Sequence, residues 1–180
     1  MIRIDVFSDV VCPWCFIGKR RLEQAIATRP RRNVSIQWRA FQLNPDMPRD
    51  GMHRQHYVEA KFGGPDRAEQ IYRNIADAGE SVGLDFAFEK IQRTPNTVTV
   101  HRLIYWATHQ GQADTLVEAL FRGYFFDGRD IGSIDVLSEV ASECGLDGDA
   151  AKAYLGSDHG LREVAAETRY AYENGITGVP

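Results

Sequence analysis

The hydrophobic period changes once within the first forty residues, and that change frames the rest of the chain. Ile2 to Phe7 alternate and are rich in β-formers, whereas Gly18, Leu22, Ala25 and Ile26 recur at i, i+4, i+7 and i+8, the spacing of one helical face. A strand therefore gives way to a helix between Phe7 and Gly18. Pro30 and Asn33 punctuate the chain, and Val34 to Phe41 alternates as a second strand. A helix joining two strands favours a parallel pair, and open α/β sheets place their sites at the carboxyl ends of such strands.

Leu43-Asn44-Pro45-Asp46-Met47-Pro48 is a turn-rich exit from the sheet, and from about His53 the pattern is helical for a hundred residues. Tyr57 to Phe62 is a short helix closed by Gly63-Gly64. Pro65-Asp66 opens another through Ile71, Ile75 and Ala78, and Phe86 to Ile91 is expected as a short extended piece. Thr94-Pro95-Asn96-Thr97 is a helix start, and an N-cap role accounts for both Asn96 and Thr97. Further helices carry Val100, Leu103, Ile104 and Ala107; then Leu116, Ala119, Leu120 and Tyr124; then Val136, Leu137, Val140 and Ala141; and a short one covers about Ala150 to Leu155. The run Tyr124-Phe125-Phe126, with Tyr105 and Trp106, is expected to pack between helices. The last helix, about Asp158 to Asn174, aligns Leu161, Val164, Ala165, Thr168 and Tyr172. Ile176 to Pro180 is a loop leading into a strand. An all-helical block thus interrupts an α/β beginning, with no internal repeat or long linker.

The 180 residues with 43% apolar content suffice for an ordinary globular core. A net charge of −4 with interspersed signs gives no reason to expect nucleic acid or an anionic membrane surface as partner. The cationic group Lys19, Arg20, Arg21, Arg29, Arg31 and Arg32 is the solvated face of the first helix and its exit. No stretch approaches the ~20 apolar residues of a membrane span, and no signal-like segment precedes the first strand, so a cytoplasmic location is expected.

The three cysteines are too few for a disulfide framework, and Cys144, far along the chain, is expected as a buried structural thiol. Cys12 and Cys15 stand at the strand-to-helix junction. Pro13 suits the first helical position, where its missing N–H has no partner in any case, which makes Cys12 the cap. Free N–H groups and the positive end of the helix dipole then favour a Cys12 thiolate over the thiol, below the usual pKa of about 8.5. Cys15 lies within one turn, placed to close a small disulfide and resolve a mixed disulfide formed at Cys12. Three other readings stand beside this dithiol chemistry. They are two buried apolar cysteines, a stapling disulfide, and a Cys2His2 zinc site completed by His53 and His56.

Cys12-Pro13-Trp14-Cys15 after an N-terminal strand, the helical block, and the ending Thr177-Gly178-Val179-Pro180 together resemble the thioredoxin-fold oxidoreductases of the DsbA superfamily. Within it the likeness is to the FrnE-like cytoplasmic branch. It spans essentially the whole chain and is most specific at Ser8 to Lys19 and at Pro95-Asn96-Thr97 with His101-Arg102.

The resemblance implies an α/β, thioredoxin-like fold of the DsbA type with a large all-helical insertion. Residues 1–42 form its first part, 43–157 the insertion domain and 158–180 its second part. It implies a thiol–disulfide oxidoreductase with Cys12 as nucleophile, Cys15 as resolving thiol, and Pro13 and Trp14 supporting them. The Val179–Pro180 bond is expected to be cis and beside the cysteines, with the Val179 main chain pairing to substrate. No bound cofactor and no metal are implied, since the proline takes the space a metal needs. Glutathione or another thiol couple is implied as redox partner, and protein or small-molecule thiols and disulfides as substrates, with room for a homodimer. A complete fold of this type continues with two strands and a final helix that are not among these residues. The alternative function is a glutathione-dependent isomerase or transferase of the hydroxychromene-carboxylate isomerase or kappa type, related enzymes that typically carry serine at the position of Cys12 and lack a resolving thiol. Asp5 and Asp9 are candidates for taking the proton of Cys15, Asp9 equally for a turn that bonds its own backbone. Lowering the Cys12 pKa from 7 to 5 would shift the potential by only about 50 mV, so reductase, isomerase and oxidase directions all stay open.

Overall fold

A computed structural model describes residues 1–30 and 32–180; Arg31, one of the cationic residues assigned above to the solvated face, lies outside the described residues. The first strand, β1 (Ile2–Ser8), runs parallel to β2 (Val34–Ala40) in continuous register from Ile2 opposite Val34 to Ser8 opposite Ala40. Helix α1 (Pro13–Ala27) joins them. The carboxyl ends of both strands thus point to one edge, where the chain turns into α1.

The helical block is built from α2 (Arg54–Phe62), α3 (Pro65–Glu80), α4 (Val98–Thr108), α5 (Ala113–Phe125), α6 (Ile134–Glu143) and α7 (Gly148–Gly156), followed by α8 (Leu161–Glu173). Two residues on each side, β3 (Met52–His53) and β4 (Arg93–Thr94), pair antiparallel and pin the base of the block. Among the described residues no helix is long and apolar enough to cross a membrane. Phe86 to Ile91 departs from the extended piece expected: Phe88–Lys90 is a single 3-10 turn. Here Phe86 and Phe88 stack at 5.1 Å, both meeting Phe125, and the backbone curls over that ring because the Ala87 N–H donates to Phe125 O at 2.9 Å and the Lys90 N–H closes the turn on Ala87 O at 3.0 Å.

One continuous apolar core joins the two halves. It runs from Val10, Cys12, Cys15 and Phe16 through Leu103, Leu120 and Phe121 to Leu137, Val140 and Leu155. Phe16, which follows Cys15 directly, is fully buried and lies flat on Phe121 at 4.8 Å, with Phe126 at 5.7 Å and the Arg20 guanidinium 4.9 Å from its ring centre. Tyr124 and Phe125 are buried as expected, between helices. A second tie is ionic. Lys19 is 5% exposed, yet its ammonium is surrounded by carboxylates: Glu23 one turn on, and Glu118 at 3.2 Å and Asp114 at 3.8 Å on α5. Asp114 also accepts from the Trp38 indole N–H of β2 at 3.1 Å. A buried ammonium is tolerable only with partners of this kind.

Arg102 fastens the end of the block. Its guanidinium donates to the carbonyls of Tyr154, Leu155, Ser157 and His159, taking up the groups that the end of α7 leaves without helical partners. Beyond that turn, α8 packs on β2 and α4 through a narrower stripe than the periodicity suggests. Val164 and Ala171 are buried, whereas Leu161 and Tyr172 are 37% and 44% exposed, because the helix meets its neighbours along one line of contact.

The Phe16 ring should carry a large share of the α1–α5 contact. Phe16→Ala is expected to lower stability by about 3–5 kcal/mol, as for other buried aromatic truncations, in urea unfolding followed by circular dichroism. A loss below about 1 kcal/mol would mean that the cluster does not close around this ring.

Candidate active site

The turn from β1 into α1 begins with the Cys12 N–H donating to Asp9 O at 2.9 Å. Cys12 caps the helix in an extended conformation (φ −94°, ψ 110°), and Pro13 occupies the first turn as expected. Cys15 N–H returns to Cys12 O at 3.1 Å, which brings the second sulfur round to the first. Both are free thiols and both are 4% exposed, while Trp14 between them stands 40% exposed at the surface.

The two thiols sit on one helical turn with opposite electrostatics. Cys12 is held below its ordinary pKa chiefly because the Cys15 thiol donates to its sulfur; the main-chain N–H groups of Cys15 and Trp14 add to this, while burial and the Asp9 charge oppose it. No hydrogen bond of strict cap geometry reaches the sulfur, so the helix start acts on Cys12 as a field more than as a bonding partner. Cys15 is pushed well above its ordinary pKa, first by burial and then by the hydrogen bond and charge of Cys12. Of the two thiols, Cys12 is therefore the one that ionises first.

The far end of the chain closes over the site. The Val179–Pro180 peptide bond is cis, the Cys12 thiol lies 3.8 Å from the Val179 carbonyl, and Pro180 lines a cavity shared with Cys15. Gly18, one turn after Cys15, faces the proline: a Cβ there would stand 3.4 Å from that of Pro180, an ordinary contact. Cys12, Pro13, Trp14, Cys15, Val179 and Pro180 are thus brought together although Val179 lies 164 positions after Cys15.

Asp9 behaves otherwise than its sequence suggests. It is fully buried, and its Oδ2 accepts from the Leu43 N–H at 2.8 Å and from the Thr97 hydroxyl at 3.3 Å, with His101 Nε2 3.5 Å from Oδ1. The carboxylate therefore ties the site turn to the exit of β2 and to α4, and it bonds no backbone of its own turn. Thr97 consequently does not cap α4 with its side chain; Asn96 does the local work, accepting from the Val98 N–H at 3.0 Å. His101 Nε2 meets Phe41 O at 3.0 Å and completes the seam. Asp5 lies midway along β1, paired with Arg39 at 2.9 Å and Arg3 at 3.3 Å. His53 is committed to α2, its Nδ1 accepting from the Gln55 N–H at 3.3 Å, and the His56 ring lies 6.0 Å from its own. Cys144 is only half-buried, its thiol directed at Thr115 O and its pKa raised by burial and by Glu143.

Ser8 and the Leu43 amide are the site residues that sequence reasoning passed over. A serine at a strand end gives no periodic signal, and a main-chain donor gives none at all.

Among solved structures, the crystal structure of a probable DsbA oxidoreductase, SCO1869 from Streptomyces coelicolor, superposes with a TM-score of 0.89 at 32% identity, covering 100% of this chain and 79% of that one. The uncharacterized protein YwbO of Bacillus subtilis (strain 168) is 28% identical over 181 residues, 99% of this chain and 84% of its own. Two more distant structures share the fold. The cytosolic disulfide reductase DsbM of Pseudomonas aeruginosa, also solved with GSH, is 17% identical with a TM-score of 0.72 over 99% of this chain and 82% of its own. A 2-hydroxychromene-2-carboxylate isomerase is 16% identical with a TM-score of 0.74 over 99% and 83%. The sequence profile of the DSBA-like thioredoxin domain matches residues 3–180. With the strand, the dithiol turn and the cis-proline end assembled as that fold requires, the chain belongs to the DSBA-like thioredoxin domain family.

Proposed function

We propose that the chain is a thiol–disulfide oxidoreductase whose Cys12–Cys15 pair cycles between dithiol and disulfide. The observation that carries this reading is the opposed pKa shift of the two adjacent thiols, a lowered Cys12 receiving the hydrogen bond of a raised Cys15. Isolated structural cysteines in an apolar core are all pushed upward.

The Cys12 thiolate attacks one sulfur of a substrate disulfide. A bond forms between Cys12 and that sulfur, the substrate S–S bond breaks, and the other half leaves as a thiolate that takes a proton from solvent. Cys15 then loses its proton and attacks Cys12, forming the Cys12–Cys15 disulfide and releasing the second substrate thiol. Two electrons pass from the enzyme dithiol to the substrate. The same steps in reverse oxidise a substrate dithiol, and a thiol couple such as glutathione resets the enzyme.

Val179 and Pro180 form the substrate-binding edge in this reading, with the Val179 main chain as the pairing group and the exposed Trp14 as an apolar rim. The helical block, residues 43–157, is the insertion of a thioredoxin-like unit made by 1–42 and 158–180. Protein or small-molecule disulfides and thiols are the substrate class, and the cytoplasm is the location. The likeness to a cytosolic disulfide reductase that has been solved with GSH favours these assignments.

A glutathione-dependent isomerase is the competing chemistry, and mutation separates the two. Cys12→Ser should abolish reduction of a protein disulfide substrate. Cys15→Ser should leave mixed disulfides trapped at Cys12, visible as mass adducts removed by dithiothreitol. Full turnover in Cys15→Ser with glutathione present would instead establish the isomerase-type mechanism.

The pH dependence follows from the same shifts. Alkylation of Cys12 by iodoacetamide should show a midpoint below the usual thiol value of about 8.5. Cys15→Ala, which removes the donor, should move it upward, and Cys15→Ser, which keeps an O–H, should move it less. Stability of the reduced protein should rise with pH between the lowered Cys12 value and about 8.5, where the unfolded chain still binds the proton that the folded chain has released. Above that, the raised Cys15 reverses the slope, because the folded state then holds the extra proton. Urea titrations of the reduced protein across this range check both arms, and a flat profile would contradict the assignment of the two thiols.

A further inference from the structure

Ser8 is the last residue of β1, and it is buried. Its main chain is satisfied, with the carbonyl accepting from the Phe41 N–H at 3.2 Å, but its hydroxyl oxygen has no hydrogen-bond partner among the described residues. An unpaired buried hydroxyl costs stability, and alanine would fill the place more cheaply if packing were its only task. The residue also lines a cavity of about 120 Å³ together with Cys15, Gly18, Lys19, Leu22 and Pro180. Ser8 and Cys15 therefore line the same space.

We propose that the Ser8 hydroxyl is the hydrogen-bond donor that stabilises the Cys15 thiolate while Cys15 attacks the mixed disulfide at Cys12. This deepens the dithiol reading and rests on it. In that step Cys15 gives its proton to solvent, its sulfur bonds to Cys12, and the substrate sulfur leaves with the electron pair and is protonated. A buried thiolate lasting long enough to attack needs a donor, and the other nearby side chains do not supply one. The Asp9 carboxylate, held through Oδ2 by Leu43 and Thr97 and with Oδ1 unpaired among the described residues, offers only acceptor oxygens, and the Lys19 ammonium lies among Glu23, Glu118 and Asp114. Cys12 raises the Cys15 pKa, whereas Ser8 and the Asp9 main-chain N–H are the groups that pull it down. A donor that favours the Cys15 thiolate in the resting dithiol does the same, without competition from the Cys12 charge, once Cys12 is tied up in a mixed disulfide.

The test uses the full chain with Cys144→Ser, reduced and mixed in stopped flow with one equivalent of a chromogenic aromatic disulfide. The first equivalent of coloured thiolate reports attack by Cys12 and the second reports resolution by Cys15. Losing one donor to a thiolate corresponds to about one pKa unit, and the Brønsted gain in nucleophilicity returns part of the rate. Ser8→Ala should therefore slow the second phase about threefold to fourfold at pH 7 and raise its pH midpoint by about one unit, with the first phase changed less than about twofold. Ser8→Thr should restore both. An unchanged second phase and midpoint in Ser8→Ala would overturn the proposal. Should that variant fail to fold, Ser8→Val against Ser8→Thr makes the same comparison at matched shape. A wild-type chain that releases only one equivalent removes the dithiol reading itself, a result separate from any effect of Ser8.

Discussion

The hydrogen bond from the Cys15 thiol to the Cys12 sulfur, between two buried side chains, sets the terms for the carboxyl end of β1. Burial acts equally on Cys12 and Cys15, both 4% exposed, and by itself would keep both protonated. Position on the helix breaks the tie. Cys12, at the cap, faces the first-turn amides and receives the thiol proton of Cys15, whereas Cys15, one turn in, faces the apolar core and a neighbouring charge. The difference between the two thiols is thereby written into where the helix starts. The thiol at the cap ionises more readily than usual, and the one a turn further in less readily.

Such an arrangement requires that the first turn of α1 stay fixed, and three unlike contacts fix it. Phe16 inserts into the aromatic cluster of α5, Lys19 is surrounded by carboxylates of α1 and α5, and Asp9 holds the turn to the Leu43 amide and Thr97. The first is insensitive to salt and pH, the second and third are electrostatic, and all three come from within ten residues of one another. The helical block is therefore more than a cover over the sheet. It is the wall against which the dithiol turn is held.

Much of this was legible in the sequence. The change of period near Phe7, the Pro13 after Cys12 and the glycines closing the helices specify local structure, and local structure is what periodicity and capping report. The likeness of the two ends of the chain brought Val179 and Pro180 to the cysteines. The features that escaped are those made by partners distant in sequence. Asp9 bonds Leu43 and Thr97, 34 and 88 positions away. Thr97 gives its hydroxyl to that carboxylate instead of its own helix. Phe86 to Ile91 curls because Phe125 lies beneath it, and α8 buries only Val164 and Ala171 because it touches its neighbours along one line. Apolar spacing alone cannot distinguish a wide buried face from a narrow one.

Glu167 on α8 accepts the outward N–H of Ala40 at 2.8 Å while Arg39 grips its other oxygen at 2.9 Å. A carboxylate thus stands where a neighbouring strand would place a carbonyl, at the edge of β2 nearest the dithiol. An incoming chain seeking to extend the sheet there would have to displace a charge already held by a guanidinium and expose its own backbone to that charge. A backbone seeking to add a strand along the outer side of β2 therefore meets a fixed negative charge at Ala40 instead of an open N–H.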